Sequence, residues 1–329
     1  MRSIFLGSVG ARSGKTMLTL GLALNRGGAG YFKPFKETVI CREDRLVDQD
    51  AYLMKRLLHS KLDEEALCPF LYDLHRPVTM EAIRKAYDIA REGQELMLVE
   101  GTRDITTGYL NDLSGMAIAE ALYCPVLLVS SSDPADLERL AMLRRLLMMY
   151  KAPFAGAVIN NDDGTAAELL RKRGIEVLGS IPQIKELRHY TVREVQEVTQ
   201  AEVVVGVDHL DRIVEEAVVG AMSPETALKM MRRIAKKAVI TGGDRPDLQL
   251  AALETDTSCL VLTGGMYPER TVIAKAYEAK VPLLLTANDT MRTAELIEHL
   301  IARIGPEDEH KIALIRKAVQ ENVDTSTLF

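Results

Sequence analysis

Tryptophan is absent from this 329-residue chain, and aromatic residues make up only 5% of it. No base-stacking surface of the kind that single-stranded nucleic acids require is evident. Cysteine is scarce as well. Cys41, Cys68, Cys124 and Cys259 are scattered with no C-x-x-C spacing, which argues against a disulfide framework or a zinc site and for buried free thiols. Long apolar runs are missing. The longest mostly apolar stretch, Met116 to Val129, contains Glu120 and is too short to span a bilayer. Nothing resembling a signal peptide precedes the first strand. An excess of basic charge is missing too: the net charge of −6 leaves no electrostatic footprint for nucleic acid. These absences describe a cytoplasmic protein that binds neither nucleic acid nor membrane. Its length is enough for two domains of ordinary size.

What the chain does have is concentrated near its start, in Gly7-Ser8-Val9-Gly10-Ala11-Arg12-Ser13-Gly14-Lys15-Thr16. An apolar run, Ile4-Phe5-Leu6, precedes it as a strand, and Met17 to Leu24 follows as a buried helix. Strand, glycine-rich loop, Gly-Lys-Thr and helix form the context of a phosphate-binding loop. Glycines Gly10 and Gly14 let consecutive backbone N–H groups, with Ser13 among them, converge on an anion. The helix start adds unpaired N–H groups and its positive dipole end. Lys15 can reach the outer phosphates of ATP, and the Thr16 hydroxyl can ligate Mg²⁺. The spacing departs from G-x-x-x-x-G-K-[ST], because Val9 stands where that pattern has glycine.

Further along, Ala29 to Lys36 reads as a second strand with a turn at Pro34. Lys33 and Lys36 would then sit on the rim where parallel sheets bind ligands. Val47 to Leu58 has helical spacing, with Asp48 and Asp50 in its first turn; Asp50 either caps the helix or approaches Mg²⁺. Residues 61–78 read as an irregular, lid-like connection, and Met80 to Arg91 as an amphipathic helix. Glu95 to Thr102 reads as a buried strand ending in Glu100-Gly101, where a phosphate-loop protein carries a second metal ligand or water-orienting acid. A helix around Leu113 to Leu122, a strand Pro125 to Ser130, a helix Ala135 to Tyr150, a strand Phe154 to Asn161 and a strand Ile175 to Pro182 follow. The amides of Asn160 and Asn161 either read a base edge or close a turn. Apolar strands without alternation, each followed by a helix, predict a mostly parallel sheet covered on both faces.

Taken together, the loop, Tyr31-Phe32-Lys33-Pro34, Asp50-Ala51, Val99-Glu100-Gly101, Val158-Ile159-Asn160-Asn161 and Leu178-Gly179-Ser180-Ile181-Pro182 resemble the dethiobiotin synthetase family. The resemblance extends to the dethiobiotin-synthetase-like N-terminal region of long phosphotransacetylases. It implies a P-loop NTPase-type α/β domain with Lys15 on the phosphates. It also implies Thr16, Asp50 and Glu100 around Mg²⁺, Lys33 beside substrate and γ-phosphate, and Asn160 or Asn161 at the adenine. Thr102-Arg103-Asp104 replaces the small Ala-Gly-Gly-type loop of dethiobiotin synthetases, so biotin synthesis is not carried over.

Beyond residue 203 the chain echoes itself. Ile240-Thr241-Gly242-Gly243-Asp244-Arg245-Pro246-Asp247 recurs as Leu262-Thr263-Gly264-Gly265-Met266-Tyr267-Pro268-Glu269, and more loosely around Leu283 to Thr290. Each copy follows an apolar strand and leads into a helix, with proline placed where a first turn tolerates it. Gly242-Gly243-Asp244-Arg245 with its strand and helix resembles the DRTGG domain, with Pro246 inside the signature, and Val218 to Pro224 fits the same family. The expected domains are 1–203 (P-loop), 204–306 (a smaller α/β DRTGG domain) and 307–329 (a helix and tail), with no acetyltransferase domain among these residues. Two functions fit: a nucleotide-binding regulatory or sensor protein that homodimerises or docks on a metabolic enzyme, and an ATP-dependent ligase or amidoligase of dethiobiotin synthetase or cobyrinate diamide synthase type acting on a small carboxylate. A glutaminase-type Cys nucleophile is not apparent after residue 200, since Cys259 lies in an apolar strand.

Overall fold

The computed structural model describes residues 2–11, 13–42, 45–220, 224–298, 300 and 304–329. Arg12 of the glycine-rich loop, and Ala221, Met222 and Ser223 of the stretch matched to the DRTGG signature, lie outside the described residues. The chain forms two compact units, Met1–Gln183 with Ile304–Phe329, and Ile184–Arg303.

In the first unit, β1 (Arg2–Ser8) leads through the glycine-rich loop into α1 (Lys15–Arg26), then β2 (Ala29–Phe32). After α2 (Gln49–Leu57) come β3 (Leu96–Glu100), β4 (Val126–Ser131), β5 (Phe154–Asn160) and β6 (Val177–Ile181). The sheet order is β6-β5-β4-β1-β3-β2, and every neighbour pair is parallel. Leu6 pairs with Glu100 and Leu127, so β3 and β4 end beside the start of the loop. Helices cover both faces of a sheet whose central strands are mostly apolar and buried along nearly their whole length, as the lack of alternation predicts. Helix starts follow local chemistry: Thr79 and Ser114 accept backbone N–H bonds, and Asp133 does so ahead of Pro134.

Several expectations change here. Val47 and Asp48 are not helical. Arg45–Asp48 is a strand paired antiparallel with Val39–Arg42, and Asp48 is the N-cap of α2. The stretch 61–78 is not structureless: it contains a helix Glu64–Leu67 and a strand Phe70–Leu71 paired with Phe35–Lys36. Cys68, Cys124 and Cys259 are buried free thiols, but Cys41 is exposed because it lies on that outlying hairpin.

The largest difference concerns the C-terminus. Helix Glu309–Asn322 is part of the first unit and packs along α1. A Cβ on Gly21 would collide with the Val319 side chain, and the Asn25 amide donates to the Arg316 carbonyl at 2.9 Å. Past the helix, Asp324 N donates to Leu178 O at 2.8 Å, beside an antiparallel bridge between Gly179 and Val323. Ile315, Val319, Val323 and Leu328 are buried there, and apolar burial is what holds such a helix in place.

The second unit carries β7 (Glu202–Val205), β8 (Glu216–Val219), β9 (Lys237–Gly242), β10 (Thr257–Thr263) and β11 (Leu283–Leu285) in the order β7-β11-β10-β9-β8. Among the described residues of this sheet β7 pairs antiparallel and the other neighbours pair parallel. The three echoed segments are thus the adjacent parallel strands β9, β10 and β11. Pro246 opens its helix as expected, but Pro268 precedes Glu269, the N-cap of helix Arg270–Ala279, and so lies outside the first turn. Helix Val192–Thr199, closed by a Thr191–Glu194 capping box, belongs to this unit, so the break comes at Gln183 rather than at 203. No helix among the described residues is long and apolar enough to cross a membrane.

Candidate functional site

The carboxyl ends of β1, β2 and β3 bring the N-terminal candidates together. The loop between β1 and α1 is braced internally. Ser8 Oγ and Ser13 Oγ each donate to the Gly10 carbonyl at 2.7 Å, and Gly10 N donates to Ser13 Oγ at 3.3 Å. Gly14 is the N-cap of α1 at φ 92°, a conformation that favours glycine. A Cβ on Gly14 would overlap the Asn160 amide, and Asn160 Nδ2 donates to the Ser13 carbonyl at 3.1 Å. Asn160 therefore closes the loop from the end of β5. Asn161 is exposed at φ 57°.

At the first turn of α1, Lys15 Nζ lies 3.2 Å and Thr16 Oγ1 2.7 Å from Glu100 Oε1, with both as donors. Tyr31 OH donates to Glu100 Oε2 at 3.3 Å. Lys33, fully buried past the end of β2, donates to Asp50 Oδ2 at 2.6 Å and to Asp48 Oδ2 at 3.1 Å. Glu37 Oε2 stands 3.6 Å from Lys15 and 3.4 Å from Lys33. Thus two ammonium groups face four carboxyl groups, Glu37, Asp48, Asp50 and Glu100, in one connected cluster.

Burial raises the Glu100 carboxyl above its ordinary value, against the pull of Lys15, and the neighbouring charge of Asp50 adds to the rise. Burial also acts on Asp50, but Lys33 and then Lys15 outweigh it and hold the carboxyl low. Lys33 loses hydration, yet Asp50, Asp48, Glu100 and Glu37 together hold its ammonium well above the ordinary value. Burial and the Glu100 charge push Tyr31 up.

Sequence reasoning did not single out Glu37 or Tyr31 for this cluster, and it gave Asp48 no role beyond capping. Asp48 does both: Oδ1 accepts from Asp50 N and Ala51 N at 3.0 and 3.1 Å, while Oδ2 accepts from Glu37 N at 2.9 Å. The signal for Tyr31 was its place beside Phe32-Lys33 at a strand end; the hairpin that returns Glu37 and Asp48 to Lys33 leaves no comparable mark. Thr102 is buried and bonds its own turn at the Asp104 carbonyl.

The chemistry of this set suits a nucleotide with a hard divalent ion. The loop offers converging backbone N–H groups at a helix start, and its glycine positions leave no room for a Cβ at Gly14. Thr16, Asp50 and Glu100 supply oxygen donors of the kind Mg²⁺ takes.

A mostly parallel sheet with a Gly-Lys-Thr loop at the carboxyl edge of its central strand defines a P-loop ATPase-type domain. The family model described as an AAA domain matches residues 2–191, and the chain belongs to this family. The DRTGG domain model matches residues 194–300. The chain is 26% identical over 366 aligned residues to a phosphate acetyltransferase of Synechocystis sp., covering 99% of this chain and 51% of that protein. It therefore spans about half the length of that relative. It is 24% identical over 215 residues to the ATP-dependent dethiobiotin synthetase BioD of Bacillus subtilis, covering 58% of this chain and 92% of that protein. Among solved structures, a ParA family ATPase from Chlorobium tepidum aligns over 56% of this chain and 86% of its own, at 14% identity and a TM-score of 0.39.

Proposed function

We propose that the first unit binds ATP with Mg²⁺ and that the chain is a nucleotide-responsive regulatory protein of phosphotransacetylase-type metabolism. The observation that carries this reading is the buried cluster at the strand ends, where carboxyl groups outnumber ammonium groups around Thr16. In this reading Lys15 turns from Glu100 to the phosphates, and Thr16, Asp50 and Glu100 hold the metal. The ion would offset the mutual repulsion of the carboxylates and draw the phosphate charge onto the loop. Asn160 holds the loop in shape, and Asn160 or Asn161 borders the adenine. The contiguous second unit supplies sensing or assembly, with a second copy of the chain or a metabolic enzyme as its partner.

Calorimetry with ATP, in Mg²⁺ and in EDTA, tests the nucleotide reading. Lys15→Ala should abolish binding while the fold persists, and Asp50→Ala should weaken binding in Mg²⁺ far more than in EDTA. Unchanged ATP affinity in Lys15→Ala rejects it. Light scattering tests the assembly: a full-length chain that stays monomeric at high concentration rejects the homodimer.

A second reading rests on Lys33. Its ammonium is dry, held by two aspartates and within 3.4 Å of Glu37, a placement suited to a carboxylate being phosphorylated. An ATP-dependent ligase would release ADP only when a cognate carboxylate is added; a sensor would bind ATP without such turnover.

A further inference from the structure

A cavity of about 360 Å³ lies between the Val39–Arg42/Arg45–Asp48 hairpin and the last turn of α2. Its described lining carries four fixed cations, Arg42, Arg45, Lys55 and Arg56, against one carboxylate, Glu64. Such a concentration is unexpected in a chain of net charge −6, and a concave wall of one sign focuses the field on whatever enters.

The single carboxylate is already engaged. Glu64 Oε2 accepts from Lys55 Nζ at 2.9 Å. Arg42 and Arg56 are held differently: their guanidinium carbons lie 5.3 and 5.5 Å from the centroid of the Tyr52 ring. Among the described residues neither has a carboxylate partner. Two planar forks thus lie against one ring in the lining of the cavity. His59 and Ser60 border the same cavity.

We propose that this cavity is a binding site, separate from the phosphate loop, for a small phosphorylated metabolite carrying at least two negative charges. Guanidinium forks match phosphate oxygens in pairs. The volume is in the range of pockets that hold whole small molecules. Helix α2 joins the two sites in one rigid element: Asp50 stands in its first turn and Lys55 and Arg56 in its last.

The test uses the full chain carrying Lys15→Ala, which silences the phosphate loop, with inorganic pyrophosphate as probe in low-salt calorimetry and citrate as a carboxylate control. Saturable pyrophosphate binding should persist in Lys15→Ala and weaken about tenfold or more when Arg42→Ala and Arg56→Ala are added. Citrate should bind more weakly. Equal melting temperatures of the two variants establish that the fold is intact, as the exposure of both arginines leads one to expect. Absence of saturable binding in Lys15→Ala overturns the proposal. So does binding that ignores the arginine substitutions, or citrate binding as tightly as pyrophosphate.

Discussion

The two units share a plan and differ in how they use it. Each has a mostly parallel sheet with glycine-bearing loops after some of its strands. At the edge of the first sheet those loops gather Lys15, Lys33, Glu37, Asp48, Asp50 and Glu100. At the edge of the second the Arg245–Asp247 pair is exposed, and the buried polar groups include threonine hydroxyls whose bonds stay within the unit. Thr241 Oγ1 donates to Gly220 O at 3.4 Å, Thr286 Oγ1 to Thr199 O at 3.0 Å, and the Thr263 and Thr290 hydroxyls meet at 2.8 Å. The glycines are alike in one respect: a Cβ on Gly14 would overlap the Asn160 amide, and a Cβ on Gly243 would strike the Met266 carbonyl of the neighbouring loop. A strand–loop–helix edge is therefore only a scaffold. The first edge is held by buried charge pairs, and the second by hydroxyl bonds between its loops.

The contrast can be broken most severely at the C-terminus. Deleting 304–329 should unfold the first unit, since it uncovers α1 and removes several buried apolar side chains worth about 1.5–3 kcal/mol each. The second unit, contiguous in sequence, should retain its own melting transition. Scanning calorimetry that finds both transitions unchanged would refute this. Next in size, Glu100→Ala leaves Lys15 with a more distant carboxylate, Glu37, and should cost roughly 3–5 kcal/mol of stability in denaturant titrations. Thr263→Val, the parallel change in the second unit, should cost only about 1 kcal/mol. Comparable losses would erase the distinction between the two edges. Smallest in effect is a labelling experiment. Burial pushes the Cys124 and Cys259 thiols up to about 12, and that of Cys68 higher still. At neutral pH a thiol reagent should modify Cys41 alone, and the other three only after denaturation; rapid modification of Cys124 in the native protein would contradict the packing.

What the sequence made legible was local or periodic. Gly14-Lys15-Thr16 announces itself because loop, lysine and helix start are consecutive. The buried strands are recognisable because both faces are covered and no alternation is needed. Glu100 was found because it ends such a strand. Glu37 was invisible because its role depends on a hairpin that doubles the chain back, and Asp48 was drawn into a helix by the apolar spacing of Val47 and Ala51. The C-terminal helix was recognised, but its sequence does not name the surface it covers. That surface is α1, where Gly21 admits Val319, and the two are separated by nearly the whole chain. Pairings of that length leave no periodic trace in either segment.

That last contact also sets a schedule. On a ribosome Lys15 and the strands of its sheet emerge first, while Ile315 and Val319 follow after a delay on the order of tens of seconds. Throughout that interval the face of α1 around Gly21 is bare, and the contiguous second unit is free to fold ahead of its predecessor. The glycine-rich loop thus becomes part of a complete first unit only when residues 304–329 arrive. A nascent chain that stalls before Ile315 holds every residue of the motif and lacks the helix that packs on α1.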